Sequence, residues 1–148
     1  MGPFDYRLEL TATGYKTGRF TGDEVPHLSV ASPPEFGGPG GVWSPEHLFV
    51  ASVSACLMTT FGAIAEMSGL EVLGYSDAAT GRLVRDENRL FRMESVTLRP
   101  RIVVAGSEAA DRAARLIEKA ERACLISRSL SAEVVVEPEI VSEAVAAR

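Results

Sequence analysis

The stretch from 48 to 65 contains no charged residue, and it constrains the fold more than any other part of the sequence. The tripeptide Ser-Pro-Glu at 44–46 precedes it. This tripeptide supplies a capping hydroxyl, a proline suited to the first helical turn and an acid that complements the positive helix end. Gly69 supplies a stop at the far end. We therefore predict one long helix that is apolar on nearly every side. In a chain this small, such a helix suggests that a second copy of the chain covers it.

The same stretch is just long enough to span a membrane. Small and hydroxyl-bearing residues occupy much of it, and polar or charged residues close both ends, so its hydropathy argues against a span. The first residues, MGPFDYRLEL, lack the basic region and apolar run of a secretory signal. We therefore expect a cytoplasmic protein without membrane contact, whose thiols are kept reduced.

Chain length and net charge limit the domain organisation and the classes of function that remain. The chain has 148 residues, 46% of them hydrophobic, and a formal net charge of −5. We expect a single domain over residues 1–148 that buries a core without disulfide or metal staples. The negative charge, without any basic run, argues against binding to nucleic acid.

Apolar residues alternate with polar ones near the N-terminus, at Phe4, Tyr6, Leu8 and Leu10, which is the pattern of a half-buried strand. The Pro/Gly-rich segment 32–43 is predicted to hold no regular structure. The predicted strands are 4–11, 18–21, 27–31, 70–84, 91–104 and 132–136 (continuing towards 141), with a second helix from Ser107, as its cap, to about 122. Because this order lacks regular βαβ alternation, it predicts an α+β fold with mostly antiparallel sheet.

Two cysteines, Cys56 and Cys124, lie in apolar, helix-like stretches. Either they fill the core as small hydrophobic side chains, or they form a redox pair. Apolar burial raises the pKa of a thiol, so a reactive Cys56 needs a cation close to it. Glu46 cannot supply that charge, but it can orient a cation from another segment or from a partner chain. Its simpler role is to stabilise the dipole of its own helix.

Cys124 falls near the predicted end of the second helix, where the negative end of the helix dipole disfavours a thiolate. This asymmetry favours Cys56 as the attacking thiol and Cys124 as the resolving thiol. His27 and His47 lack metal-ligand spacing with the cysteines, which argues against a zinc site. A Cys–His pair formed in space stays open.

At these residues the chain resembles the OsmC/Ohr family of thiol peroxidases. The matching segments are PPEFGGPGG, SPEHLFVASVSACLMTT and AERACLIS. The family has a Pro-Glu at the start of a long central helix, a Cys further along it and a second Cys much later, usually followed by Pro-x-Ser. The corresponding residues here are Pro45, Glu46, Cys56, Cys124 and Ser127.

The resemblance implies an intertwined homodimer in which antiparallel sheets from both chains wrap two long central helices. It also implies a stress-response peroxidase that uses no cofactor and reduces organic hydroperoxides to alcohols. Cys56, as a thiolate, would attack the distal peroxide oxygen and become a sulfenic acid. Cys124 would condense with it to a disulfide, which a dithiol reductant, a lipoyl group in some members, would reduce. An Arg paired with Glu46 would hold Cys56 as the thiolate.

Two positions depart from the family pattern. Leu125 stands where a proline usually follows the second Cys. The activating Arg has two candidates in TATGYKTGRFTG, because alignment on TATG selects Lys16 and a shift of a few residues selects Arg19. Arg19 is the better chemical choice, since a guanidinium can form two hydrogen bonds to Glu46 and keeps its charge when buried.

The sequence therefore predicts an organic hydroperoxide reductase with Cys56, Cys124, Glu46 and Arg19 as its site residues. The alternative is a non-enzymatic OsmC-like dimer that binds a small hydrophobic ligand at the same interface pocket. Thiol reactivity separates the two hypotheses, because only the peroxidase needs Cys56 to be largely ionised near neutral pH.

Overall fold

The structure is a computed structural model that describes residues 1–144. These residues form three sheets, three α-helices and one short 3-10 helix. The chain forms two compact units, Met1–Phe49 and the remainder from Val50 onward. In chain order the elements are β1 (Glu9–Gly14), β2 (Thr17–Gly22), β3 (Val25–Ala31), α1 (Pro45–Met67), β4 (Gly74–Asp77), β5 (Thr80–Arg85), β6 (Phe91–Leu98), β7 (Pro100–Ala105), α2 (Ser107–Ala123), α3 (Leu125–Arg128), β8 (Glu133–Val136) and β9 (Glu139–Glu143). The predicted α+β class is confirmed.

The first unit contains an antiparallel sheet in the order β1-β2-β3. The strands predicted at 18–21 and 27–31 are confirmed, but the strand predicted at 4–11 begins only at Glu9. The pairing of Glu9 with Thr21 lies almost at the end of β2, so the residues before Glu9 have no strand beside them. Their apolar side chains are correspondingly exposed.

The segment 32–43, predicted to hold no regular structure, contains one turn of 3-10 helix at Pro34–Phe36. Pro34 opens this turn, and Gly37 closes it with a left-handed φ of 81°. The turn is short because proline fixes only its own φ and glycine ends the helical hydrogen bonding.

Helix α1 confirms the long helix predicted from the uncharged stretch. The Ser44 hydroxyl accepts the His47 backbone N–H at 3.1 Å and caps the first turn. Gly69, with a φ of 68°, lies just beyond the last turn and donates its N–H to the Glu66 carbonyl. The residues that α1 buries lie along one side of it: Val53, Cys56, Leu57, Phe61, Ile64 and Ala65.

The opposite side of α1 is exposed and carries mostly small, hydroxyl-bearing and apolar residues. Only 28% of its most apolar window is buried, and Met58 is 46% exposed. By length and composition alone α1 could cross a membrane, as the core helices of many other proteins could. Its uncovered side is the surface that any partner of this helix would have to cover.

In the second unit, each long predicted strand is divided into two strands that belong to different sheets. The sheets have the orders β4-β7-β9 and β5-β6-β8, with β7–β9 and β6–β8 parallel and the other pairs antiparallel. The division of 91–104 falls at Arg99, just before Pro100, and that of 132–141 falls at Glu137 and Pro138; a proline has no N–H to donate to a ladder. The division of 70–84 falls beside Asp77, whose carboxylate accepts the Arg99 N–H at 2.7 Å and fixes the bend.

Helix α2 confirms the second predicted helix, with one correction at its start. Ser107 is the first helical residue and not the cap; the cap is Gly106, whose φ of 90° suits glycine, and no side chain caps the helix. The buried residues Ala113, Ile117 and Ala120 face β7 and β9. Cys124 then ends α2 and immediately precedes α3.

Candidate functional site

Both cysteines belong to the second unit, and both are free thiols. Cys56 lies on the buried side of α1 and is 9% exposed, whereas Cys124 is 1% exposed. Cys124 adopts an extended backbone conformation, with φ −62° and ψ 112°, between α2 and α3. This conformation turns the chain sharply after α2, so that the next residues start a new helical turn.

Four neutral groups surround the Cys56 thiol. Burial raises its pKa, but the Cys124 thiol, the Ile126 N–H, the Thr60 hydroxyl and the Leu125 N–H lower it, and the net shift is downward. The Thr60 oxygen lies 3.9 Å from the Cys56 sulfur. A hydrogen bond to the charged form of a thiol favours that form, which is the physical reason for the downward shift. The arrangement therefore favours ionisation of Cys56 despite its apolar surroundings.

Sequence reasoning missed three of these groups. Thr60 was detectable, because it follows Cys56 by one helical turn on the same side of α1. The two peptide N–H groups were not, because their role depends on the turn that the chain makes at Cys124. None of the influences on the Cys56 pKa is a charged side chain, although the sequence argument required a cation.

Asp77 ties β4 to α1 beside the cysteines. Its two carboxylate oxygens accept the Ser54 hydroxyl of α1 at 2.6 Å and the Arg99 backbone N–H at 2.7 Å. Both oxygens are thus used by groups from different elements. This pair of bonds fixes the position of β4 against the helix that carries Cys56.

Tyr75, on the same strand, has a buried hydroxyl with no hydrogen-bond partner among the described residues. Its ring packs against Phe61 with 5.8 Å between the ring centroids. Burial, together with the nearby Asp77 and Cys124, raises the pKa of Tyr75 well above its usual range. The hydroxyl therefore stays protonated at any physiological pH.

Glu46, in the first unit, presents an unsatisfied carboxylate. Its Oε2 atom is buried and has no hydrogen-bond partner within residues 1–144. A buried carboxylate oxygen without a donor is costly, so a cation or hydrogen-bond donor at this position would stabilise the protein.

The two candidate cations for Glu46 lie in different places within the first unit. Lys16 has a left-handed φ of 61°, and its Nζ donates to the Phe36 carbonyl at 2.8 Å. It lines a groove of about 450 Å³ together with Gly18 and Pro45. Arg19 is exposed and follows Gly18 in β2, so it points to the other face of the sheet.

Neither histidine is among the groups that influence the Cys56 thiol. His47 is exposed and its Nδ1 lies 2.6 Å from the Ser44 hydroxyl, so it takes part in the helix cap. His27 is an exposed residue of β3. Among residues 1–144, no three His, Cys, Asp or Glu side chains gather in a way that could hold a metal ion.

In a comparison with known protein families, residues 38–139 match the family described as OsmC-like protein. The uncharacterized protein YmaD of Bacillus subtilis is 29% identical over 114 residues, which is 75% of each chain. An OsmC-like protein of unknown function from Vibrio cholerae superposes with a TM-score of 0.79 at 22% identity, over 90% of this chain and 99% of that one. An organic hydroperoxide resistance protein from Elizabethkingia anophelis superposes with a TM-score of 0.71 at 27% identity, over 95% and 99% of the two chains.

Proposed function

The chain belongs to the OsmC-like protein family, and on that basis we propose that it is a cysteine peroxidase that reduces organic hydroperoxides to alcohols. The resemblance to the OsmC/Ohr family is confirmed by the family match and by solved structures of organic hydroperoxide resistance proteins. The observation that carries the proposal is that both cysteines are free thiols and that Cys124 lowers the pKa of Cys56.

The proposed cycle begins with Cys56. Its thiolate attacks the distal oxygen of the hydroperoxide, the O–O bond breaks, and the leaving alkoxide takes a proton and departs as the alcohol. Cys56 is thereby oxidised by two electrons to a sulfenic acid. The Cys124 thiol then attacks the Cys56 sulfur, which releases water and forms a disulfide. A dithiol reductant, for example of the lipoyl type, restores both thiols by exchange and becomes a disulfide itself.

The lowered pKa of Cys56 supports this order of events. The donors around its sulfur favour the thiolate, which is the nucleophilic form. A reducing cytoplasm, the proposed location, would keep both thiols ready for the reaction.

Glu46 is proposed to pair with a cation, as the corresponding Glu does in the family. Arg19 was the choice from sequence, but the geometry within the first unit favours Lys16. Lys16 lines the same groove as Pro45, the neighbour of Glu46, whereas Arg19 points to the other face of the sheet. The proposed pair would satisfy the buried Oε2 atom of Glu46.

The protein is proposed to act as a homodimer whose contact includes the uncovered side of α1. Gly62, in the middle of this helix, has no atom within 4 Å of the position that a Cβ would occupy. A glycine inside an exposed helix costs about 1 kcal/mol relative to alanine, a cost that a close contact from outside the chain would explain. Close approach of the same helix from a second copy gives that explanation. Gly62→Leu is then expected to yield monomers in analytical ultracentrifugation, and Gly62→Ala a weakened dimer.

Steady-state turnover tests the function. The reduced protein is mixed with cumene hydroperoxide and dihydrolipoamide, and loss of the peroxide is followed. We expect turnover by the wild-type chain and none by Cys56→Ser, with Lys119→Ala, at an exposed position of α2, as a control. Full activity of Cys56→Ser would refute the mechanism. Absence of turnover in the wild-type chain would instead favour the ligand-binding alternative.

A further inference from the structure

Thr60 is a hydroxyl-bearing residue on the buried side of α1, one helical turn after Cys56. It is half-buried, and its neighbours on that side of the helix include the buried apolar residues Phe61 and Ile64. A helical side chain leans back towards the N-terminus, so the side chain at 60 lies over the side chain at 56. The Thr60 oxygen accordingly lies 3.9 Å from the Cys56 sulfur, within the range of a hydrogen bond to sulfur.

Thr59, the preceding residue, occupies the usual alternative partner of the Thr60 hydroxyl. A threonine inside a helix commonly donates to the carbonyl one turn earlier, which for Thr60 is the carbonyl of Cys56. That carbonyl already accepts the Thr60 backbone N–H of the helical ladder and the Thr59 hydroxyl, the latter at 3.2 Å. Both of its lone pairs are therefore used. The Thr60 hydroxyl is left to face the Cys56 sulfur.

The direction of this hydrogen bond depends on the state of the thiol. Before ionisation either atom can donate, because the thiol and the hydroxyl each carry a proton. After ionisation only the hydroxyl carries one, so Thr60 must donate and the Cys56 sulfur must accept. A hydrogen bond that the charged form accepts is stronger than one between neutral groups, and it favours the charged form. The lowering of the Cys56 pKa by Thr60 agrees with this direction.

We propose that Thr60 is a positioning residue for the peroxidase reaction, whose hydroxyl donates to the Cys56 thiolate while Thr59 occupies the carbonyl that would otherwise compete for it. The inference rests on the proposed function and deepens it, because it names a side chain of the same helix that prepares the nucleophile. All three residues belong to α1, so a single chain contains the whole arrangement.

Three substitutions at Thr60 separate the hydroxyl from the shape of the side chain. Thr60→Val removes the hydroxyl and keeps the shape, Thr60→Ser keeps the hydroxyl and removes the methyl group, and Thr60→Ala removes both. Each is made in full-length protein that carries Cys124→Ser, so that Cys56 is the single thiol. The rate of alkylation by iodoacetamide is followed from pH 5 to pH 10, and its inflection reports the ionisation of Cys56.

Thr60→Val and Thr60→Ala should move the inflection to higher pH and slow alkylation at neutral pH by roughly three- to tenfold, since a hydrogen bond to an ionised group is among the stronger ones. Thr60→Ser should keep the profile of the parent protein. An unchanged profile in Thr60→Val, with a native circular dichroism spectrum, would overturn the inference. So would a change in Thr60→Ser as large as that in Thr60→Ala, because the shape of the side chain would then be responsible.

The pair Thr60→Ser and Thr60→Ala protects the test against a fold defect in Thr60→Val. These two variants differ only in the hydroxyl, so equal profiles in the pair would overturn the inference even if Thr60→Val does not fold. Because alkylation needs no peroxide, the result stands apart from peroxidase turnover, whose absence would refute the proposed function alone.

Discussion

The Cys124 thiol lies close enough to the Cys56 thiol to lower the pKa of Cys56. The two residues come from different helical segments, since Cys56 lies within α1 and Cys124 lies between α2 and α3. The group that lowers the pKa of Cys56 is thus the same group that is proposed to attack the oxidised sulfur in the next step. In this account the Cys124 thiol first favours the thiolate form of Cys56 and later converts the sulfenic acid of Cys56 to a disulfide.

This relationship predicts an oxidised intermediate when the resolving thiol is missing. In Cys124→Ser, the serine hydroxyl can still donate a hydrogen bond to Cys56 but cannot form a disulfide. One equivalent of cumene hydroperoxide should therefore convert Cys56 to a sulfenic acid that dimedone traps, as detected by mass spectrometry. Cys56→Ser is the matched control and should give no adduct. An adduct on Cys124 in that control would reverse the proposed roles.

The pKa of Cys56 predicts a pH dependence of stability. A group whose pKa is lower in the folded chain stabilises it above the unfolded pKa, and this stabilisation is lost as the pH falls through the folded pKa. The free energy of unfolding of the reduced wild-type chain should therefore rise relative to Cys56→Ser between neutral pH and the ordinary thiol pKa of 9.0. Urea denaturation under reducing conditions at several pH values measures the difference. A difference that falls over this range would mean that the pKa of Cys56 is raised.

The position of the cation predicts an order of effects for two variants. Lys16→Ala should lower the free energy of unfolding, measured by urea denaturation, by about 1–3 kcal/mol, because it leaves the buried Glu46 Oε2 atom without its proposed partner. Arg19→Ala should have little effect, and Lys16→Arg should restore the stability. The reverse ranking would reinstate Arg19, the choice from sequence.

Asp77 predicts a stability effect that is independent of the redox chemistry. Asp77→Ala removes the acceptor for the Arg99 N–H and the Ser54 hydroxyl, and it should cost about 1–3 kcal/mol of unfolding free energy. Asp77→Asn keeps one carbonyl acceptor and should cost less. Equal losses in both variants, measured by urea denaturation, would show that the charge and not the hydrogen bonds matters.

Local patterns in the sequence were sufficient to predict the main elements. The uncharged stretch, the cap at Ser44 and the stop at Gly69 predict α1 because each acts within one or two helical turns. The divided strands were not predictable in the same way. Whether residues such as Asp77 fix a bend depends on which strand lies beside them, and that is a property of the tertiary fold.

The candidate site, too, was predictable from the sequence only in part. Cys56 and Cys124 were identified from their segments and from the family resemblance, and the structure brings them together. The N–H groups near Cys56 were missed because backbone donors carry no residue signature. The choice between Lys16 and Arg19 stayed open because Lys16 lies in the turn before β2 and Arg19 within β2, and the sequence does not show which of them faces Pro45. The assignment of roles to these residues stays a prediction.

A thiol count after oxidation tests the central claim most directly. Fully reduced protein is treated with one equivalent of cumene hydroperoxide, with hydrogen peroxide in a parallel sample, and free thiols are titrated over time. The account predicts rapid loss of both thiols with the organic peroxide, a Cys56–Cys124 disulfide in the peptide map and slower loss with hydrogen peroxide. Retention of both thiols with either peroxide would contradict it.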